Sequence, residues 1–272
     1  MNMSNLIALN IIQKPSPNFN ERLDKKTNTK VTKPTYIIIH YTTDCFHKKS
    51  YRALSNFFRP VSSHYLIAAD GTIYQLVDES KRAWHAGKSY WKGSRQLNTY
   101  SIGIEIVNPG YSKSNKPVCT MNQDIWNQQS ATQVKGSPFY WYPYAPEQIA
   151  AVQELCKDIV QRYDISPENI LGHSDIAPGR KVDPGPLFDW QQLAKQNIGI
   201  WHNVQSSDHT TLPDIKEIQI MLQQLGYHVK PSKKLDKKTK KAIKAFQMHF
   251  RPSNIDGILD TETVLILKNI LN

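Results

Sequence analysis

The most constraining feature of the sequence is an apolar run that ends in a histidine, Tyr36-Ile-Ile-Ile-His40. Consecutive β-prone apolar residues are typical of a strand that is buried on both faces of a sheet. His40 is therefore predicted to lie where the sheet ends and the loops begin, which is a rigid support for chemistry. One histidine does not define a site, so other parts of the chain must supply its partners.

A hairpin and a second buried strand follow this run. The β-prone segments 63–69 and 72–77 flank Asp70-Gly71, a dipeptide that favours a tight hairpin turn. The segment Ser101-Ile-Gly-Ile-Glu-Ile-Val107 predicts another buried strand. Residues 13–34 and 110–143 have no sustained period, so we expect an irregular arm in the first and a long surface loop in the second.

Helices are predicted between and after these strands. Apolar residues recur at helical spacing over 146–163, and a proline suits the first helical turn. Shorter helices are predicted over 49–58, with Leu54, Phe57 and Phe58 on one face, and over 189–196. Strands interleaved with helices indicate an α/β domain with a mixed central sheet flanked by helices.

The composition changes near residue 199, where Asn, Ser, Asp and Thr are typical of a linker. Beyond it, three amphipathic helices in about 60 residues predict a small bundle near the lower size limit for independent folding. We therefore assign 1–33 to an N-terminal arm, 34–198 to the main domain, 199–212 to a linker and 213–272 to a three-helix bundle.

The formal charge of +11 favours an anionic partner. Eight lysines between 230 and 244 either form a solvated helix face or attract a carboxylate-rich polymer, and without interleaved aromatic residues nucleic acid is not expected. No run is long enough to span a membrane, and no secretion signal or lipid-bearing cysteine is recognisable near the start. Cys45, Cys119 and Cys156 are expected to be isolated, with a single disulfide as the alternative.

Glu105 is the most informative polar residue, because its neighbours in the strand are apolar. A buried carboxylate costs on the order of several kcal/mol unless it is paired, neutral or close to a metal. A structural salt bridge would satisfy it. Beside a metal, the same burial would raise its pKa toward that of a useful general base.

The segment 173–186 is rich in proline and glycine and carries two candidate ligands, His173 and Asp183. Its backbone can fold back so that both approach His40. Three protein ligands would leave the fourth tetrahedral position of a catalytic zinc for water. Lys181 points the same way as Asp183 in an extended segment and can face a developing oxyanion. The alternatives are hydrogen-bonded structural histidines and a solvated lysine.

These motifs together resemble the zinc N-acetylmuramoyl-L-alanine amidases of the amidase-2 family, which is related to the peptidoglycan recognition proteins. The motifs are His40 at a strand end, Ser63-His-Tyr65 before the hairpin, Trp84-His-Ala-Gly87, Ile102-Gly-Ile-Glu-Ile106 and the stretch from Gly172 to Pro186. Leu222-Gln-Gln-Leu-Gly-Tyr227, Ala245-Phe-Gln247 and Asp256-Gly257 are similar to the three-helix peptidoglycan-binding module. The order of domains is similar to the AmiD type of Gram-negative envelopes.

The resemblance implies that His40, His173 and Asp183 bind one Zn²⁺, that Glu105 is the general base and that Lys181 stabilises the transition state. Zinc-activated water would cleave the amide between N-acetylmuramic acid, or its 1,6-anhydro form, and the L-alanine of the stem peptide during cell-wall turnover. Peptidoglycan and muropeptides are the expected partners. The helical module would act as a tether, so that its removal spares hydrolysis of small muropeptides.

Trp84 and the remaining histidines are expected to have other roles. Trp84 and His85 are expected to contact substrate, with wall packing as the alternative for His85, and His64 is expected to be structural. His202, His209 and His249 are expected on the linker or surface. The resemblance also implies a monomer in the periplasm or cell envelope of a Gram-negative bacterium.

Two other functions remain open. A peptidoglycan receptor would bind the same ligand without cutting it, and a zinc peptidase would cleave within the stem peptide.

Overall fold

The computed structural model describes residues 9–115, 131–205 and 211–272. The strands are β1 (Ile11–Gln13), β2 (Phe19–Glu21), β3 (Tyr36–Tyr41), β4 (Tyr65–Ile67), β5 (Ile73–Gln75), β6 (Lys81–Ala83), β7 (Ser101–Ile106), β8 (Tyr111–Ser112), β9 (Thr132–Gln133), β10 (Tyr140–Trp141) and β11 (Ile170–Gly172). The helices are α1 (His47–Leu54), α2 (Leu97–Tyr100), α3 (Pro146–Tyr163), α4 (His173–Ile176), α5 (Trp190–Ala194), α6 (Ile215–Leu225), α7 (Lys237–Phe250) and α8 (Thr261–Leu271).

A mixed six-stranded sheet forms the centre of the main domain, in the order β1-β5-β4-β7-β3-β11. Strand β3 pairs in parallel with β7 and β11, and β4 pairs in parallel with β7 and antiparallel with β5. The predicted buried strands, the hairpin and the long helix are therefore confirmed. The register places His40 directly opposite Glu105.

The two faces of the sheet have different partners because side chains alternate along each strand. Ile37 and Ile39 of β3 pack in one apolar cluster with residues of α3, including Val152 and Ile159. Ile38 belongs to a second cluster on the opposite face. His40 and Glu105 follow the same alternation as Ile38, so they point away from the face that α3 covers.

The prediction of an irregular segment over 13–34 is correct for most of its residues but misses the short strand β2. Strand β1 adds to the edge of the central sheet by pairing in parallel with β5, and β2 pairs with β6. Arg22 is fully buried and donates hydrogen bonds to the carbonyls of Glu79, Thr99 and Ser101. Strands β1 and β2 are three residues long and are not joined to a partner by a tight turn, whereas Asp70-Gly71 marks the equally short β4 and β5, which is why the sequence did not reveal the first two.

Two other predictions require correction. Helix α1 ends at Leu54, and Phe57 and Phe58 are 75% and 90% exposed instead of lying on its buried face. The segment 110–143 includes a three-stranded sheet in the order β8-β10-β9, so it is not simply a surface loop. Its residues 116–130 lie outside the described part of the chain.

The C-terminal bundle has the three predicted helices. Each begins at an aspartate, Asp214, Asp236 or Asp260, whose side chain accepts a hydrogen bond from the backbone three residues later. The bundle shares one apolar cluster with the main domain. Within this interface, Gly226 lies so close to Trp91 that a Cβ atom would come within 2.4 Å of the indole.

Two of the three cysteines, Cys45 and Cys156, differ in their bonding state. Cys45 is disulfide-bonded, whereas Cys156 is a free thiol on the buried face of α3. The expectation that all three are isolated is therefore wrong. Among the described residues, no helix combines the length and apolar character that a membrane span requires.

Candidate metal centre

Two neighbouring strands present the first components of the site. His40 is the fifth residue of β3 and lies opposite Glu105 of β7. Gly103 lies two residues before Glu105 on the same face of β7. It leaves room for the ring of His85, because a Cβ atom at this position would lie 2.5 Å from that ring. Because Gly103 has no side chain, it leaves space above the sheet for a cluster of imidazoles.

The loop after β11 brings the remaining components back to the sheet. The Asp175 side chain accepts a hydrogen bond from the backbone of Gly172 and so holds the start of α4. The backbone N–H of Ser174 donates to the carbonyl of Asp183 at 2.8 Å, which closes the loop. His173 and Asp183 are thereby brought together although ten residues separate them in sequence.

Three possible ligand atoms converge between these elements. Nδ1 of His40 lies 2.9 Å from Nδ1 of His173 and 3.0 Å from Oδ2 of Asp183, and the last two atoms are 2.9 Å apart. Zinc bonds of 2.0–2.1 Å in a tetrahedron place ligand atoms about 3.3 Å apart, so this triangle needs only a small expansion. All three side chains are buried, and their donor set fits a divalent metal such as zinc.

Each ring is held by a partner on its other nitrogen. Nε2 of His40 lies 2.9 Å from Nδ1 of His85, whose Nε2 lies 3.1 Å from Oγ of Ser101. Nε2 of His173 lies 3.1 Å from the carbonyl of Ala86. With a metal at Nδ1, each Nε2 carries the hydrogen and donates to these acceptors, which fixes the ring orientation.

The electrostatic environment suits metal binding. Burial and the neighbouring His173 lower the pKa of His40 to about 4, so its ring is neutral at pH 7. Burial acts to raise the pKa of Asp183, but the two histidines hold it well below its usual range. A neutral imidazole and an ionised carboxylate are the forms that bind a metal.

Glu105 lies beside this cluster, and one of its two carboxylate oxygens takes part in no hydrogen bond with the described residues. Oε2 is buried and has no partner among the residues that the structure describes. Burial and the charge of Asp183 raise its pKa to about 8, while Lys181 acts in the opposite direction. Lys181 also lowers the pKa of His40, so its positive charge reaches both sides of the site. Glu105 forms no salt bridge with any residue in 9–115, 131–205 or 211–272, so the alternative of a structural ion pair has no support there.

The structure does not support a substrate contact for His85. Its ring is buried between His40 and the sheet, and both nitrogens are occupied. The indole of Trp84 donates to the side chain of Asn20 in the N-terminal arm. His64 is fully buried, where Nδ1 accepts from the backbone of Gly103, as expected of a structural residue.

His249 is not on the surface, contrary to prediction, and with Tyr227 it forms a polar contact between the domains. Its Nδ1 lies 2.8 Å from Oδ2 of Asp175, and the Tyr227 hydroxyl donates to Oδ1 of the same carboxylate at 2.9 Å. Asp175 lies two residues after His173. His209 falls outside the described residues, and His202 is half-buried against the carbonyl of Phe250.

Sequence reasoning missed this network and Arg180. Arg180 donates to the Ala86 carbonyl that also holds His173. An aspartate two residues after a candidate ligand histidine was the available signal for Asp175, but its partners lie in another domain. No local pattern identified Tyr227 or His249 as their source.

Comparison with known proteins agrees with this geometry. A family profile described as N-acetylmuramoyl-L-alanine amidase matches residues 30–186, and one described as a putative peptidoglycan binding domain matches residues 211–267. The N-acetylmuramoyl-L-alanine amidase AmiD of Escherichia coli (strain K12) is 42% identical over 250 residues, which cover 86% of this chain and 81% of that protein.

Two solved structures extend the likeness to the fold. The complex of AmiD from E. coli with anhydro-N-acetylmuramic acid-L-Ala-D-γ-Glu-L-Lys has a TM-score of 0.72 and 38% identity, covering 93% of this chain and 97% of that one. AmpDh3 from Pseudomonas aeruginosa has a TM-score of 0.70 and 33% identity, covering 91% and 96%. By sequence and by fold, therefore, this chain belongs to the N-acetylmuramoyl-L-alanine amidase family, and a domain of the peptidoglycan-binding family follows its amidase domain.

Proposed function

We propose that this amidase depends on zinc and hydrolyses the amide between N-acetylmuramic acid and the L-alanine of the stem peptide. One observation carries the proposal: His40, His173 and Asp183 present three ligand atoms about 3 Å apart, next to a buried carboxylate oxygen of Glu105 that has no hydrogen-bond partner in the described parts of the chain. A purely structural cluster would not leave that oxygen unsatisfied, because an unpaired buried polar atom is costly.

The residues then have distinct roles. Zinc, when bound by His40, His173 and Asp183, supplies a Lewis acid that activates water and polarises the scissile carbonyl. Glu105 takes a proton from the attacking water at Oε2 and returns it to the leaving nitrogen of L-alanine. Lys181 supplies positive charge that offsets the negative charge developing on the carbonyl oxygen.

The 1,6-anhydro form of the sugar is proposed as a substrate as well. The complexes of E. coli AmiD and of P. aeruginosa AmpDh3 contain anhydromuramic ligands, and the E. coli ligand carries the peptide L-Ala-D-γ-Glu-L-Lys. The cell envelope, including the periplasm, is the proposed place of action because that is where the polymer lies. A monomer is proposed, since one chain contributes every component of the site.

Product analysis separates this function from its rivals. The chain is incubated with purified muropeptides, and the products are identified by mass spectrometry. Intact free stem peptide together with a peptide-free sugar supports the amidase. Shortened peptides would show a zinc peptidase, and unchanged muropeptides that nevertheless bind would show a receptor.

Metal analysis tests the zinc assignment independently. Elemental analysis of the purified protein should give one zinc per chain, and a chelator should remove both the metal and the activity. Added Zn²⁺ should restore turnover. Full activity in a zinc-free preparation would contradict the proposal.

A further inference from the structure

We propose that the junction of the two domains holds a second binding site, separate from the candidate metal centre, for carboxylates of peptidoglycan stem peptides. This inference rests on the proposed function, because its ligand comes from the same polymer. The site is a cleft of about 350 Å³, which is within the usual range for small-ligand pockets.

Both domains line the cleft. The main domain contributes residues 88–90, Arg95 and the segment 176–180, which belongs to the loop that carries His173. The helical domain contributes His228 and three residues near the start of α7, Lys238, Lys241 and Ala242. A ligand in the cleft would therefore contact both the helical module and the loop that carries the candidate metal ligand His173.

The lining is strongly basic. Its charged side chains are Lys88, Arg95, Arg180, Lys238 and Lys241, and no acidic residue of the described chain joins them. In those described parts, none of the five forms an ion pair. Asp183 acts on the charge of Arg180, and Asp236 on that of Lys238, but neither carboxylate lines the cleft. The five gathered cations therefore still repel one another, and an anion bound among them relieves that repulsion.

One wall of the cleft is preorganised by stacking across the domain boundary. The rings of Tyr90 and His228 stack with centroids 4.2 Å apart. The Arg95 guanidinium lies 5.2 Å from the centre of the Tyr90 ring, and its Nη2 is 3.3 Å from Nε2 of His228. Burial, Arg95 and Lys238 lower the pKa of His228, which indicates positive potential in the cleft.

The cleft lies behind the metal centre and not in front of it. Arg180 approaches the Nε2 edge of His173, at 3.1 Å, whereas the candidate metal ligand of that ring is Nδ1 on the opposite edge. An anion that contacts Arg180 from the cleft therefore cannot be the group undergoing hydrolysis at the metal. It belongs to another part of the polymer, such as a neighbouring peptide.

Stem peptides supply suitable anions. A γ-linked glutamate leaves its α-carboxylate free, and the end of the peptide carries another carboxylate close by. Two or more carboxylates within a few residues match a small cleft with several cations better than the uncharged sugars of the polymer would.

The test uses the full-length chain with Glu105→Gln as a background that does not digest its ligand. Binding to purified sacculi is measured at low salt for this protein and for the added pair Lys88→Ala/Lys238→Ala, which are both exposed and come one from each domain. The pair Lys157→Ala/Lys216→Ala removes the same charge from exposed positions in the same two domains and lies outside the cleft.

We expect the cleft pair to weaken sacculus binding about fivefold at low salt, with the difference disappearing at high salt. The control pair should bind within about twofold of the background, and amidation of the sacculus carboxylates should reduce background binding to the level of the cleft pair. Equal binding by all three proteins, or an equal loss in the control pair, would overturn the proposal.

Two further measurements distinguish alternative results. Vesicles with anionic phospholipid test a phosphate source. Vesicle binding that depends on the cleft lysines, together with sacculus binding that is insensitive to amidation, would refute the carboxylate assignment.

Hydrolysis of small soluble muropeptides, measured with native Glu105, should be unchanged in the cleft pair. A selective loss of that turnover would place the cleft inside the catalytic groove and refute a separate site. A wild-type chain that cleaves no muropeptide refutes the proposed function, and the binding comparison remains decisive.

Discussion

Replacing Glu105 by glutamine should stabilise the metal-free protein by an amount that grows with pH. The buried carboxylate has a pKa of about 8 in the folded chain, against an ordinary value of 4.5 that applies to the unfolded chain. The folded state therefore binds this proton more tightly than the unfolded state. Its contribution to stability is fully present below pH 4.5 and is lost as the pH rises through 8.

The size of the effect follows from the two pKa values. Each pKa unit is worth about 1.4 kcal/mol, so the difference in proton binding between the folded and unfolded chains lowers the free energy of unfolding by about 2 kcal/mol at pH 6 and about 5 kcal/mol above pH 8. Glutamine does not ionise. The difference in unfolding free energy between Glu105→Gln and wild type should therefore rise by about 3 kcal/mol from pH 6 to pH 9.

Urea unfolding after removal of metal by a chelator measures this difference at each pH. Glu154→Gln, at an exposed position on α3, is the matched control and should follow the wild-type curve. Glu105→Gln and wild-type curves that stay parallel from pH 5 to pH 9 would refute the reasoning. With zinc bound, the same variant should retain the metal and lose turnover, which separates the stability effect from the catalytic one.

Four other perturbations test the remaining contacts. Asp183→Ala should lower zinc affinity more than about 100-fold in a chelator competition, because it removes a ligand; full zinc occupancy would disprove the assignment. His85→Ala should lower zinc affinity about 10-fold to 100-fold by releasing His40, while leaving the identity of the products unchanged. Deletion after Leu212 should reduce hydrolysis even of small muropeptides, because it removes the partners of Asp175. Unchanged turnover by the truncated chain would restore the simple tether. In the full chain, His249→Ala should destabilise by about 3 kcal/mol in urea unfolding, since it leaves a buried carboxylate short of a partner.

The prediction for the deletion after Leu212 departs from the role that the sequence indicates for the helical module. Its three amphipathic helices predict a small bundle near the lower size limit for independent folding, and the family resemblance implies that this bundle acts as a tether. In the structure, Tyr227 and His249 instead hold Asp175 near the start of the segment 173–186, which carries the candidate metal ligands His173 and Asp183. These contacts join residues 52 and 74 positions apart, so no local periodicity could reveal them.

The local elements could largely be read from the sequence, because their signals are short-range. Consecutive isoleucines before His40 identified a central strand, Asp70-Gly71 identified a hairpin, and helical spacing identified α3 within its observed bounds. The candidate site residues could also be proposed, since Glu105 in an apolar strand and His173 in a proline-rich loop are unusual enough to need a partner. Neither pattern states which partner it has.

Tertiary structure decided how those residues meet and what supports them. Strand register placed His40 opposite Glu105, and closure of the loop at Ser174 placed His173 and Asp183 on the same side. It also turned His85 into a support for His40. The physical reason is that hydrogen bonding and burial act between atoms that folding brings together, whereas a sequence pattern records only the preferences of neighbours along the chain.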